Sequence, residues 1–157
     1  MAFGLTLASF AAGESVAMDR AAVMAVLRRY CPDAVCRFGG YSLKFADGSP
    51  MEMTARGLEF EGELMVIGFG KADLSPLIVE FIFDVAKAGN ACMFNAEAAD
   101  NGAPHYFYLT NAAQEQELPE RGSWQIVCTS AAHLGELIEA SHARQCEQRA
   151  INDEEAS

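Results

Sequence analysis

Basic residues are scarce in this chain of 157 residues: Lys and Arg number 11 against 22 Asp and Glu, a formal net charge of −11. That scarcity excludes functions needing a cationic surface, because such a chain repels phosphate backbones and anionic lipid. Neither a nucleic-acid nor a membrane partner is therefore expected. Histidine is also scarce, at His105, His133 and His142. His133 and His142 do not lie one turn apart on a helix, as a metal-binding pair would, and Cys31 with Cys36 is followed by no second pair at zinc spacing. Gly68-Phe69-Gly70-Lys71 lacks the spacing of a phosphate loop. No metal and no cofactor are expected. The five cysteines, Cys31, Cys36, Cys92, Cys128 and Cys146, form an odd, irregular set. They read as reduced thiols of a cytoplasmic protein, with Cys92 and Cys128 acting as small hydrophobes.

Long apolar runs are missing as well. The best candidate, Leu74 to Ala86, is interrupted by Pro76, Glu80 and Asp84, short of the ~20 residues a spanning helix needs. Met1 to Gly13 is apolar, but no cation precedes Arg20, and a secretion signal needs a basic start. The expectation is a cytoplasmic chain.

What is present is a core. Half the residues, 51%, are hydrophobic, the level of a folded domain and not of an acidic tail. Residues 1–150 read as one domain and 151–157 as an acidic C-terminal tail. Asp19 is placed to cap a helix over 20–30, whose Ala22, Val23, Val26, Leu27 and Tyr30 recur at i, i+3, i+4. Ser75-Pro76 opens a helix over 76–88, since Ser suits the N-cap and Pro the first turn. Thr129 or Ser130 caps a third over 130–148. Between them the period is two. Tyr41 to Phe45 and Met51 to Thr54 flank the Asp47-Gly48 turn, a hairpin signature. Leu64 to Asn95 reads strand, helix, strand, a crossover unit. The fold class is α+β: a mostly antiparallel sheet of about six to seven strands covered by three helices.

Carboxylates supply the candidate site. Glu59, Glu61 and Glu63 alternate, so on a strand they share one face. Three like charges in a row call for water or for a cationic partner. A second acidic segment, Glu115, Glu117 and Glu120, follows the aromatic strand of Tyr106, Phe107 and Tyr108. Tyrosine rimmed by carboxylate suits a protein interface. Each has a plainer alternative, a solvated outer face for the glutamates and ordinary packing for the rings. No catalytic constellation stands out: a thiol nucleophile needs an electropositive setting, and no cation adjoins Cys92 or Cys128.

Size, acidity, α+β order and the lack of a catalytic signature together resemble the small acidic immunity proteins that bacteria encode beside interbacterial toxins, such as type VI and polymorphic effectors. The resemblance spans the whole chain and rests on no single motif. It implies a non-catalytic inhibitor that binds a cognate toxin with a basic face and occludes its active site. It transfers no residue role. Two other classes stay open. One is a small-molecule-binding or thiol/His-dependent enzyme domain, with a pocket between the sheet and the 76–88 helix using His105, Tyr106 and a cysteine. The other is an adaptor or chaperone for a secreted effector, which would show a broad apolar groove.

Overall fold

The computed structural model describes residues 3–59, 62–72, 75–95, 106–119 and 124–156. Among the described residues the elements run β1 (Phe3–Ala11), β2 (Glu14–Val16), α1 (Arg20–Tyr30), β3 (Cys36–Arg37), β4 (Gly40–Lys44) and β5 (Pro50–Thr54). They continue through β6 (Val66–Ala72), α2 (Pro76–Ala88), β7 (Cys92–Phe94), β8 (Tyr106–Leu109), a 3-10 helix (Ala112–Glu117), β9 (Trp124–Val127) and α3 (Ala131–Ala156). The nine strands form one sheet in the order β3-β4-β5-β6-β1-β7-β8-β9, with β2 pairing onto β1. Each described pairing is antiparallel except β8 with β9.

The α+β class and the mostly antiparallel sheet are as expected, but among the described residues the strands number nine, not six to seven, and a 3-10 helix stands beside the three α-helices. β2 and β3 are three and two residues long, too short to leave a periodic signature. The crossover is also more particular than expected. β6 and β7 both pair antiparallel with β1, so α2 carries the chain over a central strand and not to an adjacent one.

Local chemistry sets the helix ends. Asp19 accepts from the Ala22 N–H at 3.1 Å, and Ser75 from the Ile78 N–H at 3.2 Å. Ser130 accepts from the His133 N–H at 3.1 Å and so caps α3. Each cap satisfies a donor the first turn leaves unpaired. Arg28 and Arg29 occupy the last turn of α1, where cations meet the negative pole of the helix. The third helix continues past 148 to Ala156, so the acidic C-terminal segment is helical and its described side chains are exposed. Among its described side chains the last deeply buried one is Ile138, and about 27 Å of helix follows it.

The three α-helices lie on one face, with α2 packed against both α1 and α3. Alternate residues of the strands meet them: Leu5, Leu7, Tyr41, Leu43, Met51, Met53, Ile67, Phe69, Met93 and Tyr108 share one core with Val23, Leu27, Ile78, Phe81, Ile82, Val85 and Leu134. Phe81 sits at its centre, with ring contacts to Tyr30, Phe45 and Phe69 at 5.3, 5.2 and 5.9 Å. Each such side chain contributes roughly 1.5–3 kcal/mol of burial. A smaller cluster of Cys92, Phe107, Leu109 and Leu118, with Phe10, Phe94 and Val127 against it, occupies the opposite face over β1, β7 and β8. Over β4, β5 and β6 that opposite face carries Ser42, Glu52, Thr54 and Val66, all exposed.

Candidate functional site

The alternation of Glu59, Glu61 and Glu63 does not lie on a strand. Gly57 has φ +91° and Gly62 φ +114°, conformations a strand cannot contain. A Cβ on Gly57 would stand 2.5 Å from the Glu63 carbonyl oxygen. The chain therefore folds back on itself at this point, and Leu58 plugs the loop into the core. Glu59 does not project freely from it. It pairs with Arg28 at 2.8 Å, and Arg28 also donates to the Ala34 carbonyl at 2.6 Å. Arg20 donates to the Gly62 carbonyl. Glu63 is exposed, while Phe60 and Glu61 lie outside the described residues.

The tyrosine expectation is also corrected. Tyr106 and Tyr108 do share a face, but it is the face under the helices: Tyr108 is buried in the main core and Tyr106 packs half-buried against it. Phe107 points the other way, into edge contact with Phe10 at 6.2 Å and tilted contact with Phe94 at 5.4 Å. Period two shows which rings travel together, not which side of the sheet has helices.

Glu115 and Glu117 stand on the 3-10 helix. Glu115 is exposed, whereas Glu117 ties down the β1–β2 turn: its carboxylate accepts from the Ala12 N–H at 2.5 Å and its carbonyl from the Gly13 N–H at 3.0 Å. Buried Gln114 holds the same helix to the end of α2, donating to Asn90 at 3.1 Å and to the Ala91 carbonyl at 3.3 Å, and accepting from the Thr110 N–H at 2.8 Å. Glu120 lies outside the described residues.

The topology nonetheless brings the two acidic segments to one end of the sheet. Thr6 and Thr54 both stand opposite Gly68, so β1 and β5 finish at the end where β6 begins. β8 runs with β1 through their shared neighbour β7 and delivers the 3-10 helix to that same end. The stretch 12–18 joins the two sides, from Gly13 on Glu117 to the Met18 N–H donating to the Leu64 carbonyl at 2.8 Å. Glu14, Glu63 and Glu115, exposed, thus share one end with Glu59 and Glu117.

One residue at this end was not among the expected site residues. Phe38 and Gly39 form the two-residue turn of the β3–β4 hairpin, with Arg37 opposite Gly40. Their φ values are +55° and +79°, the left-handed pair a tight hairpin requires. Phe38 is fully exposed, and Val35 is 67% exposed beside it in sequence. Behind them, Asp33, Val35, Arg37, Ser42, Glu52, Met53 and Thr54 help line a hollow of about 520 Å³ on the outer face. The signal was present in Arg37-Phe38-Gly39-Gly40: a turn flanked by pairing residues puts its aromatic at the tip.

The buried groups are arranged for packing. Burial pushes the thiols of Cys92 and Cys128 up to about 11 and raises that of Cys31, the opposite of an activated nucleophile. The Tyr41 hydroxyl is buried without a hydrogen-bond partner. Burial, then the nearby Cys36 and Glu59, push its pKa up. Tyr30 is held protonated by burial and by its hydrogen bond to Asp84 at 2.5 Å, and Arg29 joins Asp84 at 2.9 Å to clamp α1 on α2. The interface between sheet and α2, the place expected for an enzyme pocket, is filled by Ile78, Phe81, Ile82 and Val85. His105 lies outside the described residues. Among the described residues no three His, Cys, Asp or Glu side chains are grouped to hold a metal ion. No helix among them is long and apolar enough to cross a membrane.

Among the described residues, fold and site define an α+β protein with three α-helices on one face of the sheet, a sheet end where Glu14, Glu59, Glu63, Glu115 and Glu117 gather beside Arg20, Arg28, Arg37 and Arg56, and an outer face exposed over β4, β5 and β6. Compared with family models, with curated proteins and with solved structures, the chain matches none.

Proposed function

We propose that this chain is a non-catalytic, acidic protein-binding domain. On this reading it is a cytoplasmic immunity protein that occludes the active site of a cognate antibacterial toxin. The observation that carries the reading is the gathering of two acidic segments, distant in sequence, at one end of the sheet of a chain with net charge −11. A toxin that attacks nucleic acid or nucleotides needs a cationic cleft, and an anionic protein competes there with the phosphates. Attraction over a Debye length of roughly 10 Å also speeds capture, toward 10⁸–10⁹ M⁻¹s⁻¹ in steered cases. The deeply buried, protonated thiols of Cys92 and Cys128 agree with binding and not with turnover.

The test is titration of the purified protein against the toxin domain encoded beside it. The expected result is stoichiometric loss of toxin activity and an affinity that weakens by about tenfold or more between low and high salt. An affinity flat with ionic strength rejects electrostatic capture. Many-turnover chemistry by this chain, lost on replacing one thiol or imidazole, rejects the binding role itself.

A further inference from the structure

We infer that Cys36 is a peroxide-reactive thiol: it takes up one oxygen as a sulfenic acid, and the buried Tyr41 hydroxyl donates a hydrogen bond to the oxygen gained. This site is independent of the partner proposed above.

Cys36 stands opposite Tyr41 in the antiparallel β3–β4 pair, so the two side chains leave the same face, the one under the helices. The Ala55 N–H donates to the Gly39 carbonyl at 2.9 Å, which fixes the turn between them. Tyr41 is only 3% exposed, and its hydroxyl is buried with no partner within hydrogen-bond distance. Burial is the first cause of its raised pKa, and Cys36 and Glu59 are close enough to add to it. The hydroxyl is thus aimed at that thiol and that carboxylate. Arg28 holds both in place: it joins Glu59 at 2.8 Å and donates to the Ala34 carbonyl at 2.6 Å, anchoring the chain that leads to Cys36. A buried donor without an acceptor is costly, and the fold keeps one here.

What the hydroxyl lacks is a strong acceptor, and a thiol sulfur is a weak one. An oxygen bonded to that sulfur is a strong one. A mixed disulfide would bring only a second weak sulfur. Cys36 is half-buried, whereas Cys31, Cys92 and Cys128 are buried, so among these four it is the thiol a dissolved oxidant reaches. Cys31 is not placed to displace the oxygen. Its thiol donates to the Lys44 carbonyl at 3.7 Å, and on a strand Lys44 stands about 10 Å from Tyr41, whereas bonded sulfurs lie about 2 Å apart. The oxidant is hydrogen peroxide. The Cys36 thiol releases its proton, and its sulfur attacks one peroxide oxygen. The S–O bond forms as the O–O bond breaks, sulfur loses two electrons, and the departing hydroxide takes up the released proton as water.

The test treats the full-length protein with hydrogen peroxide, removes the excess with catalase, and adds dimedone, which captures sulfenic acids, after increasing delays. Peptide fragmentation by mass spectrometry should place the adduct on Cys36, with Cys31, Cys92 and Cys128 labelled about tenfold less. In Tyr41→Phe the sulfenic acid should decay about fivefold faster or more. Reduced Tyr41→Phe should melt no lower than reduced wild type, since the ring stays and only an unpaired hydroxyl goes. Oxidised wild type should melt no lower than its reduced form, whereas oxidised Tyr41→Phe should melt lower than its own. No adduct on Cys36 would overturn the assignment. So would a disulfide from Cys36 to Cys31 or Cys146, or equal lifetimes in wild type and Tyr41→Phe.

Discussion

The outer face of the sheet has two halves. Over β1, β7 and β8 it is covered: Cys92, Phe107 and Leu109 lie beneath Leu118 and the 3-10 helix, with Phe10 and Phe94 alongside. Over β4, β5 and β6 it is bare, and Ser42, Glu52, Thr54 and Val66 are exposed. The backbone pairing is the same across both. What differs is composition at alternate positions, and it decides which half gains stability from a covering layer and which remains available to another molecule. Apolar residues on both faces make a strand interior, whereas apolar in and polar out make a surface.

The comparison can be broken most forcefully at Phe107. Phe107→Ala removes the ring between Phe10 and Phe94 and should cost about 3–5 kcal/mol, read as a shift in urea midpoint at unchanged slope. A loss under about 1 kcal/mol would mean that the covered half is no core. Alkaline titration is next. Cys92 lies in the covered half and Cys128 under the helices, and each thiol is raised from about 9 to about 11 on folding. The unfolded chain loses these protons first as pH rises. The stability they contribute is therefore fully present below about 9 and is lost on passing through about 11, at roughly 2–3 kcal/mol for each group. Tyr30 and Tyr41, also raised by burial, extend the loss to higher pH. Urea midpoints in reducing buffer at neutral and alkaline pH measure it, and Cys92→Ala with Cys128→Ala should flatten the slope.

On the bare side the effects are smaller and one changes sign. Phe38→Asn relieves a strained turn and should raise stability by about 1 kcal/mol, visible as a higher melting temperature. A fall would mean that the ring packs on the chain after all. Thr54→Ala should stay within about 0.5 kcal/mol of wild type by urea denaturation. A larger loss would show that this half is covered.

Much of the architecture was legible one element at a time. The caps at Asp19 and Ser75 and the Asp47-Gly48 hairpin are local chemistry, complete within a few residues, and they appear where the sequence placed them; of the two candidates for the third cap, Thr129 and Ser130, Ser130 takes it. Tyr41 and Leu43 inward with Ser42 and Lys44 outward is equally local. The candidate site was less legible. Glu59 to Glu63 alternates like a strand, but Gly57 and Gly62 adopt positive φ there, and alternation alone does not exclude a loop. Tyr106 and Tyr108 were paired correctly and turned the wrong way, because nothing within a strand says which face the helices take. The exposure of Phe38 depends on how far its hairpin projects, which its sequence neighbours do not set.

By itself, then, the chain's composition determined its charge sign, its helices with their caps, its main hairpin and the α+β class, since each follows from interactions among near neighbours. Only the tertiary structure decided that β1 would divide β6 from β7, that two acidic segments would meet at one sheet end, and that half of one face would stay uncovered. Those outcomes depend on strand order and on which face the helices choose, and both are set by contacts between residues far apart in the chain.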